Sequence, residues 1–390
     1  MAEAFVVAAV RTAGGRRGGR LSGVHPADLA GKVLDALIER SGVDPELIDD
    51  VIMGCVSQIA EQTGNIARSA VLSSKLPESI PGTTVDRQCG SSQQAVQFAA
   101  QAVLSGTQNI VIAAGTESMS RVPMFSPSAV ATKAGMGHYK SPAMERRYPG
   151  VEFNQFYSAE VIARKYGFDK EDLDLYGFES QQRAIKAAMS GAFEKEILPV
   201  PIVLADGAHD SHLTDEGIRF DVSLQGVRGV KVISEGGMLT AANSSQVCDG
   251  AAGLLIVNEK GLEQLGVQPL ARIHHISVRG GDPVNMLEAP LPATRRALQM
   301  AGMSISDIDL YEVNEAFASV PLAWLKALDA DPAKINVHGG AIALGHPLGA
   351  SGARLMTTLI HALGRHDKRW GLQTMCEGGG LANVAIVERL

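Results

Sequence analysis

The chain of 390 residues alternates short apolar runs with segments of helical pattern, and this alternation limits its fold more than any other feature. Apolar runs occupy residues 4–10, 51–56 and 110–115 near the beginning, and residues 253–257 and 308–313 near the end. Short apolar runs of this kind are typical of buried strands. Strands that alternate with helices pack as layers, so the sequence predicts an α/β fold. The length favours two or three domains or one large assembly.

The central region, from about residue 120 to residue 243, has a different character. Prolines, glycines and charged residues are frequent there, and apolar strand runs are rare. We interpret it as a long insertion with helices of its own, such as residues 170–190, which Asp169 can cap and Gly191 can stop. Long excursions of this kind are usually functional.

Two α/β halves flank this insertion. Each half has a strand-like run that leads to a cysteine, with residues 83–85 before Cys89 and residues 372–375 before Cys376. This similarity suggests an internal duplication.

Composition excludes several classes of protein. Hydrophobic residues make up 45% and charged residues 20% of the chain, which is an ordinary globular mixture. A net charge of -7 argues against nucleic-acid binding through phosphate neutralisation. No apolar run approaches the roughly 20 residues that cross a bilayer, and no secretory pattern follows Met1, so we expect a cytoplasmic protein without membrane insertion. The four cysteines have no regular spacing and are expected to be reduced thiols.

Cys89 is the first candidate for chemistry. It lies just before residues 93–104, which are apolar nearly all round and predict a buried helix, and Ser91 and Ser92 can cap the first turn of that helix. A helix N-terminus lowers the pKa of a cysteine, which would favour the reactive thiolate. The alternative is a small buried core residue, which is the commoner role of a free cysteine.

His346, Cys376 and Asn314 are the other candidates. His346 lies in a glycine-rich loop and is followed by proline, which suits close contact with a ligand better than ordinary packing. Cys376 precedes Glu377 and three glycines, whose exposed N–H groups suit an oxyanion hole, although a simple tight turn is the alternative. Asn314 follows a buried-looking strand, and by itself it fits a helix cap better than a catalytic group. A nucleophile and a base are what acyl transfer with proton abstraction requires.

The remaining cysteines and histidines give no sign of a metal site. Cys55 and Cys248 have no glycine-rich setting, and core packing is the expected role of both. The histidine pairs 209/212 and 274/275 lack a third nearby ligand, so we expect no metal.

Taken together, these segments resemble the thiolase family over essentially the whole chain. The matching motifs are Cys-Gly-Ser at residues 89–91, Asn-Glu-Ala-Phe at 314–317, Gly-His-Pro at 345–347 and Cys-Glu-Gly-Gly-Gly at 376–380, in the order of the family. Residues 240–252, which contain Asn-Ser-Ser and Asp-Gly-Ala-Ala, add a fifth.

The resemblance implies a duplicated five-layer αβαβα fold with an inserted loop domain. Residues 1–119 and 244–268 would form the N-terminal half, and residues 269–390 the C-terminal half. Residues 120–243 would form the loop domain that covers coenzyme A, which serves as a cosubstrate, and no tightly bound cofactor is implied.

The resemblance also implies the reaction, which is the reversible thiolytic cleavage of a 3-ketoacyl-CoA to acetyl-CoA and a shortened acyl-CoA. In this scheme Cys89 carries the acyl group, His346 activates Cys89, and Cys376 moves the proton at the second substrate. Asn314 would hold a water that with His346 forms one oxyanion hole, while the N–H groups of Cys89 and Gly378 form the other.

Some positions concern substrate binding. Many short-chain members carry a His-Met pair before the Ala-Glu of the loop domain, where residues 154–160 of this chain read Asn-Gln-Phe-Tyr-Ser-Ala-Glu, so the resemblance does not imply an acetoacetyl preference and allows a longer or bulkier ketoacyl substrate. Ser92 replaces a usual glycine, with no evident consequence for the mechanism. By resemblance, Ser245 would contact the pantetheine of coenzyme A and Arg219 its adenine nucleotide, although an exposed arginine often only solvates a surface.

Two other classes of protein compete with this hypothesis. A decarboxylating ketoacyl synthase shares the fold but lacks a second catalytic cysteine, so Cys376 argues against it. A silent scaffold that binds acyl-CoA should have lost one of the catalytic residues, and none is missing here. The family further implies a homodimer or homotetramer and a place in fatty acid metabolism, including β-oxidation. The sequence decides neither the acyl group nor the physiological direction.

Overall fold

The computed structural model describes residues 2–204 and 206–390. The strands are β1 (Phe5–Thr12), β2 (Gly15–Arg16), β3 (Asp50–Gly54), β4 (Gly82–Val85), β5 (Ile110–Ser118), β6 (Ile197–Leu198), β7 (Val200–Val203), β8 (His209–His212), β9 (Cys248–Val257), β10 (Ala271–Gly280), β11 (Leu310–Val313), β12 (Trp370–Glu377) and β13 (Leu381–Arg389). The α-helices are α1 (Pro26–Ser41), α2 (Ile66–Leu72), α3 (Ser91–Ser105), α4 (Ser126–Lys133), α5 (Pro142–Arg147), α6 (Gln155–Lys165), α7 (Lys170–Met189), α8 (Leu224–Arg228), α9 (Glu259–Leu265), α10 (Pro290–Ala301), α11 (Ser319–Leu328), α12 (Ala341–Leu344) and α13 (Ser351–Arg365).

One large sheet runs through both halves of the molecule. Its hydrogen-bonded order is β11-β12-β13-β10-β1-β9-β5-β3-β4, with β2 beside β9 and β6 beside β1, while β7 and β8 form a separate hairpin. The halves meet where β1 pairs antiparallel with β10 over two residue pairs, Phe5 with Arg272 and Val6 with Ala271. The predicted α/β class is therefore confirmed.

The two halves repeat the same pattern of strand directions. In the first half β3 and β5 are parallel, whereas the pairs β5–β9 and β9–β1 are antiparallel. In the second half β11 and β12 are parallel, whereas β12–β13 and β13–β10 are antiparallel. Cys89 follows β4, but Cys376 lies in β12, the counterpart of β5. The duplication is therefore real, although the two strands that lead to cysteines do not correspond.

Apolar side chains on alternate faces of the strands build the layers, because successive side chains of a strand point to opposite faces. In β5, Ile110 and Ile112 pack in the core that contains α1 and α2. Val111 and Ala113 pack in a second core, which holds α3 and α13 between the two halves of the sheet. A third core packs α10 and α11 on the outer face of the second half. The resulting order is helices, sheet, helices, sheet, helices.

The insertion supplies α4 to α8 and the short strands β6 to β8. The predicted helix at residues 170–190 is confirmed as α7, which begins with a reciprocal capping box between Asp169 and Asp172. This helix reaches the second half of the molecule, since Tyr176 and Ser180 donate hydrogen bonds to the carboxylate of Glu315, at 3.0 and 2.7 Å. The insertion is thus tied to the residue that follows Asn314. Among the described residues, no helix has the length and apolar character needed to span a membrane.

Candidate active site

Cys89 lies in a tight turn between β4 and α3. Gln88 adopts a left-handed backbone conformation with φ of +50°, which is uncommon for a residue with a side chain and is concentrated at functional turns. The hydroxyl of Ser91 accepts a hydrogen bond from the N–H of Arg87 at 2.9 Å and donates to the carbonyl of Gln88 at 2.6 Å. Ser91 therefore closes this turn. The prediction that a hydroxyl caps α3 is wrong, because the N-cap is Gly90 and no side chain caps the helix.

The thiol of Cys89 is neutral in this environment. Burial, followed by the charge of Glu377, raises its pKa to about 12. The expectation that the helix N-terminus lowers this pKa is wrong, because desolvation of the thiol disfavours the thiolate more strongly than the helix dipole favours it. Cys89 therefore needs a base if it is to attack a substrate.

His346 is buried in the glycine-rich loop between α12 and α13, and its side-chain contacts determine which nitrogen carries the proton. Its Nδ1 lies 2.5 Å from the hydroxyl of Ser351, which itself donates to the carbonyl of Pro347 at 2.8 Å. Because that hydroxyl has one proton, it accepts from the Nδ1–H of His346. Nε2 is then the unprotonated nitrogen, and the Nδ2 of Asn314 approaches it at 3.4 Å.

The imidazole of His346 is also held neutral. Burial, followed by the positive charge of Arg354, lowers its pKa to about 3. The backbone N–H of His346 donates to the carbonyl of Gln246 at 2.9 Å, so the loop is anchored to the segment that precedes β9. A neutral imidazole with a free Nε2 can accept a proton.

Asn314 follows β11 directly and is buried. Its Oδ1 has no hydrogen-bond partner within residues 2–204 and 206–390. The next helix, α11, begins at Ser319 with Ala318 as its N-cap, so Asn314 is not the cap that we favoured from its sequence context alone. A buried amide oxygen without a partner is suited to holding a water.

Cys376 lies at the end of β12 and is buried in an apolar cluster that includes Phe317. Burial, then the neighbouring Cys89 and Glu377, raises the pKa of its thiol well above the ordinary value. The turn after β12 places Gly378 against Gln88, because a Cβ built on Gly378 would lie 3.0 Å from the Oε1 of Gln88.

Close backbone packing brings these segments together. Cβ atoms built on Gly54 and Gly115 would lie 2.7 and 2.3 Å from the carbonyl oxygen of Gly349, in the loop of His346. The N–H of Ala353 donates to the hydroxyl of Ser92 at 2.9 Å, which joins α13 to the first turn of α3. The loop of His346 is therefore packed against the helix that follows Cys89.

The positions expected to contact coenzyme A are Ser245 and Arg219. Ser245 is partly exposed, and its N–H donates to the carbonyl of Ala316 at 3.0 Å. Arg219 is exposed, and its N–H donates to the Oε1 of Gln181 at 2.9 Å. Both groups are accessible to a ligand, with Ser245 beside the motif that carries Asn314.

A cavity of about 270 Å³ opens between the start of α6 and the segment before β9. Asn154, Phe156, Tyr157 and Leu239 are among its lining residues. Phe156 packs edge-on against Phe317, with ring centroids 5.2 Å apart. Through this contact the cavity wall is continuous with the apolar cluster that contains Cys376.

Comparison with known proteins identifies the family. The family model described as "Thiolase, N-terminal domain" matches residues 4–260, and "Thiolase, C-terminal domain" matches residues 267–389. The chain belongs to the thiolase family. It is therefore an acyltransferase, and the reaction of the family is thiolytic cleavage of 3-ketoacyl-CoA or its reverse.

Individual relatives agree with this assignment over 95% or more of their length. The chain is 49% identical to a steroid 3-ketoacyl-CoA thiolase of Mycobacterium tuberculosis, with 100% of this chain and 95% of the relative covered. It is 41% identical to a beta-ketoadipyl-CoA thiolase of Escherichia coli, with 100% of both covered. The crystal structure of the Bacillus anthracis acetyl-CoA acetyltransferase matches with a TM-score of 0.91 and 34% identity, covering 100% of this chain and 99% of that one.

Sequence reasoning missed two neighbours of the site. Ser351 had no distinguishing signal, since a serine in a glycine-rich segment is ordinary and its contact with His346 depends on the loop. Glu377 was noticed only as part of a motif. A charged residue at the end of an apolar strand is unusual, however, and could by itself have marked Glu377 as a candidate for the site. No group of three or more metal-ligating side chains occurs in the described part of the chain.

Proposed function

We propose that the thiolase uses Cys89 as the acyl-carrying nucleophile, His346 as the base that activates it, and Cys376 as the group that moves the substrate proton. The observation that carries this proposal is the meeting of three segments at one place. The end of β12 packs against the turn of Cys89 through Glu377 and Gly90, and α13, which follows the loop of His346, is hydrogen-bonded to the first turn of α3; both thiols and the imidazole are neutral.

In the cleavage direction, the proton of Cys89 passes to Nε2 of His346, and the sulfur attacks the 3-keto carbon of the substrate. The bond between C2 and C3 then breaks, and Cys376 protonates the acetyl-CoA enolate that leaves. The thiol of coenzyme A then gives its proton to the thiolate of Cys376 and attacks the acyl group on Cys89, and His346 returns its proton to Cys89 as the shortened acyl-CoA leaves. Condensation is the reverse sequence.

Two sets of donors support the developing negative charges. Asn314 has an amide oxygen that can hold a water, and its Nδ2 is next to His346, so we place the first oxyanion hole there. We place the second at the N–H groups of Cys89 and Gly378, neither of which donates to another backbone oxygen among the described residues. Donors aimed at a developing oxyanion contribute a large part of catalysis in acyl transfer.

We propose a bulky or ring-bearing 3-ketoacyl group as the substrate class. Residues 154–160 lie where many short-chain members have a His-Met pair before Ala-Glu, and Asn154 lines the cavity beside Phe156 and Tyr157. Phe156 and Leu239 of this lining pack in the apolar cluster that contains Cys376, while Glu160, Arg164 and Glu235 give the cavity a charged part as well. The steroid substrate in the name of the relative with 49% identity agrees with this proposal.

The remaining features follow from the same function. We propose an N-terminal half formed by residues 1–119 and 244–268 and a C-terminal half formed by residues 269–390. The loop domain, residues 120–243, is proposed to cover coenzyme A. Ser245 would contact the pantetheine and Arg219 the adenine nucleotide. We further propose a cytoplasmic enzyme without a tightly bound cofactor, with a place in fatty acid metabolism such as β-oxidation. A homodimer or homotetramer is expected, and a monomeric mass in sedimentation would refute it.

The test combines thiolysis with direct detection of the acyl-enzyme. Wild type is assayed by coenzyme A-dependent loss of the ketoacyl enolate absorbance with acetoacetyl-CoA, a straight long-chain and a ring-bearing 3-ketoacyl-CoA. Cys89→Ala should lose at least about a thousandfold in kcat, because the nucleophile is gone. Cys376→Ser should also lose thiolysis but should still take an acetyl group from acetyl-CoA onto Cys89, detected by peptide mass spectrometry.

A matched control is Cys55→Ala, which removes a buried core thiol and should leave thiolysis unchanged. Thiolysis by Cys89→Ala at the wild-type rate would contradict the proposed nucleophile. A higher kcat/KM for acetoacetyl-CoA than for the ring-bearing thioester would contradict the proposed substrate class.

A further inference from the structure

Glu377 is a buried carboxyl group next to both thiols of the site, and it has no established part in the scheme above. Its side chain is fully enclosed, with 0% of its surface exposed. A Cβ built on Gly90 would lie 2.0 Å from the Oε1 of Glu377, so this carboxyl is pressed against the turn of Cys89. Through the backbone, Glu377 is also the direct neighbour of Cys376.

The hydrogen bonds of this carboxyl are incomplete. The side-chain amide of Asn383 is oriented so that both its nitrogen and its oxygen have hydrogen-bond partners. The Nδ2 of Asn383 donates to the Oε1 of Glu377 at 3.1 Å, and the Oδ1 of Asn383 accepts from the N–H of Gln94 at 3.2 Å. The Oε2 of Glu377 has no partner in the part of the chain that the structure describes. A buried carboxylate with an unpartnered oxygen is costly, whereas a carboxylic acid in the same place is much less so.

The charged and titratable groups around Glu377 are few. Arg87, from the turn before α3, is the cation that acts on it, and it lowers the pKa of Glu377 only in part. The other titratable groups that face it are the thiols of Cys89 and Cys376, and Cys89 is also faced by Glu117 and Asp86, whose charges act on its thiol less strongly than that of Glu377. Asn383 of β13 and Gln94 of α3 are polar but neutral. No ion pair with Glu377 occurs among the described residues, so nothing in contact neutralises a carboxylate here.

We propose that Glu377 is a positioning residue that works as a neutral carboxylic acid, and that its ionisation opposes formation of the thiolate at Cys89 and at Cys376. The importance of Glu377 for the reaction rests on the proposed function. The effect of its charge on the two thiols does not depend on that function. Burial raises the pKa of Glu377 to about 8, which agrees with an uncharged group at neutral pH. Its negative charge, when present, raises the pKa of both thiols.

The sign of the effect gives a distinctive pH profile. Below about pH 7, Glu377 is protonated, and glutamine at this position should behave like the native residue. Above about pH 8 the carboxylate forms by losing its proton to solvent, and it holds back the thiolate of Cys89. Removing the charge should therefore accelerate reactions of the thiolate only on the alkaline side.

The experiment measures alkylation of Cys89 by iodoacetamide from pH 6 to pH 10 in the full-length enzyme. The thiolate sulfur displaces iodide from the reagent, and peptide mass spectrometry separates Cys89 from the other cysteines. The ratio of the rate in Glu377→Gln to that in wild type should be near one at pH 6.5 and about tenfold at pH 9, as expected for one charge a few ångströms away. Glu263→Gln removes an exposed charge on α9 and should follow the wild-type profile.

A ratio that is the same at every pH would show a structural role only, and a ratio of one at pH 9 would show that the charge does not reach Cys89. Either result overturns the proposal. If Glu377→Gln does not fold, wild type alone suffices, because its rate should rise with pH, flatten near pH 8 and rise again, and an unbroken rise would refute the inference. Loss of thiolysis in Cys89→Ala without any effect of Glu377→Gln would reject this inference and leave the proposed function standing.

Discussion

Replacement of Ser351 by alanine tests whether one hydroxyl keeps His346 in its basic form. In the native protein the hydroxyl accepts from Nδ1 at 2.5 Å, and its own proton is engaged by the carbonyl of Pro347 at 2.8 Å. Ser351→Ala leaves a buried Nδ1–H without an acceptor, which costs about 1–3 kcal/mol. Moving the proton to Nε2 avoids this cost but points a donor at the Nδ2 of Asn314, 3.4 Å away.

In the first case the imidazolium that forms when Nε2 takes the proton of Cys89 lacks its hydrogen-bond acceptor, and in the second case Nε2 is already protonated, so either response slows proton transfer. A change of about 1.4–2.8 kcal/mol corresponds to a ten- to hundredfold lower kcat/KM for thiolysis. The loss should be similar from pH 6 to pH 9, because the pKa of His346 is held at about 3 and the ring stays neutral throughout. Steady-state kinetics with a 3-ketoacyl-CoA measures the loss, and ¹⁵N chemical shifts of the imidazole report which nitrogen is protonated.

Ser319→Ala is the matched control. Ser319 is also a fully buried serine at the start of a helix, but its hydroxyl has no partner in the described residues, so its removal should leave activity and tautomer unchanged. Wild-type kcat/KM in a folded Ser351→Ala enzyme, or a proton on Nε2 in the wild type, would refute the reasoning.

Two further predictions concern stability. Burial lowers the pKa of His338 to about 4. Between pH 4 and pH 6.5 the unfolded chain therefore binds more protons at this residue than the folded chain does. Acidification from pH 7 to pH 5 should therefore lower the free energy of unfolding by about 2 kcal/mol through His338. Denaturant titrations at both pH values should show a smaller difference in His338→Gln, and an equal difference would contradict the assignment. Gly345→Ala should lower the stability and the thiolysis rate together, because Gly345 has a φ of +87° and a Cβ there would lie 2.6 Å from the sulfur of Cys248. Gly364→Ala, inside α13 with open space around the added methyl, should instead raise stability by about 0.5–1 kcal/mol in the same titration, and the opposite order of the two variants would count against the argument.

Much of the architecture was predictable because strands and helices here follow local patterns. The apolar runs became β1, β3, β5, β9 and β11, and the capping signal at Asp169 marked the start of α7 correctly. These features depend on the spacing of apolar side chains along the chain and on capping groups that lie only a few residues from the helix they cap.

Other expectations failed where distant parts of the chain meet. The pKa of Cys89 rises mainly because the packing of distant segments removes its thiol from solvent, and a charge on Glu377, almost 300 positions later, adds to this effect; no local pattern contains either contribution. The supposed equivalence of the strands before Cys89 and Cys376 failed because sheet order, and not distance to the nearest cysteine, decides which strands correspond.

The sequence by itself therefore determined the α/β class, the insertion, the thiolase resemblance and the residues able to do chemistry, since these depend on composition, period and short motifs. Only the tertiary structure decided how those residues behave. The tautomer of His346, the neutral state of both thiols and the enclosure of Glu377 depend on desolvation and on hydrogen bonds between segments that are far apart in the chain. Burial and partner geometry set protonation, and both exist only after the layers have packed.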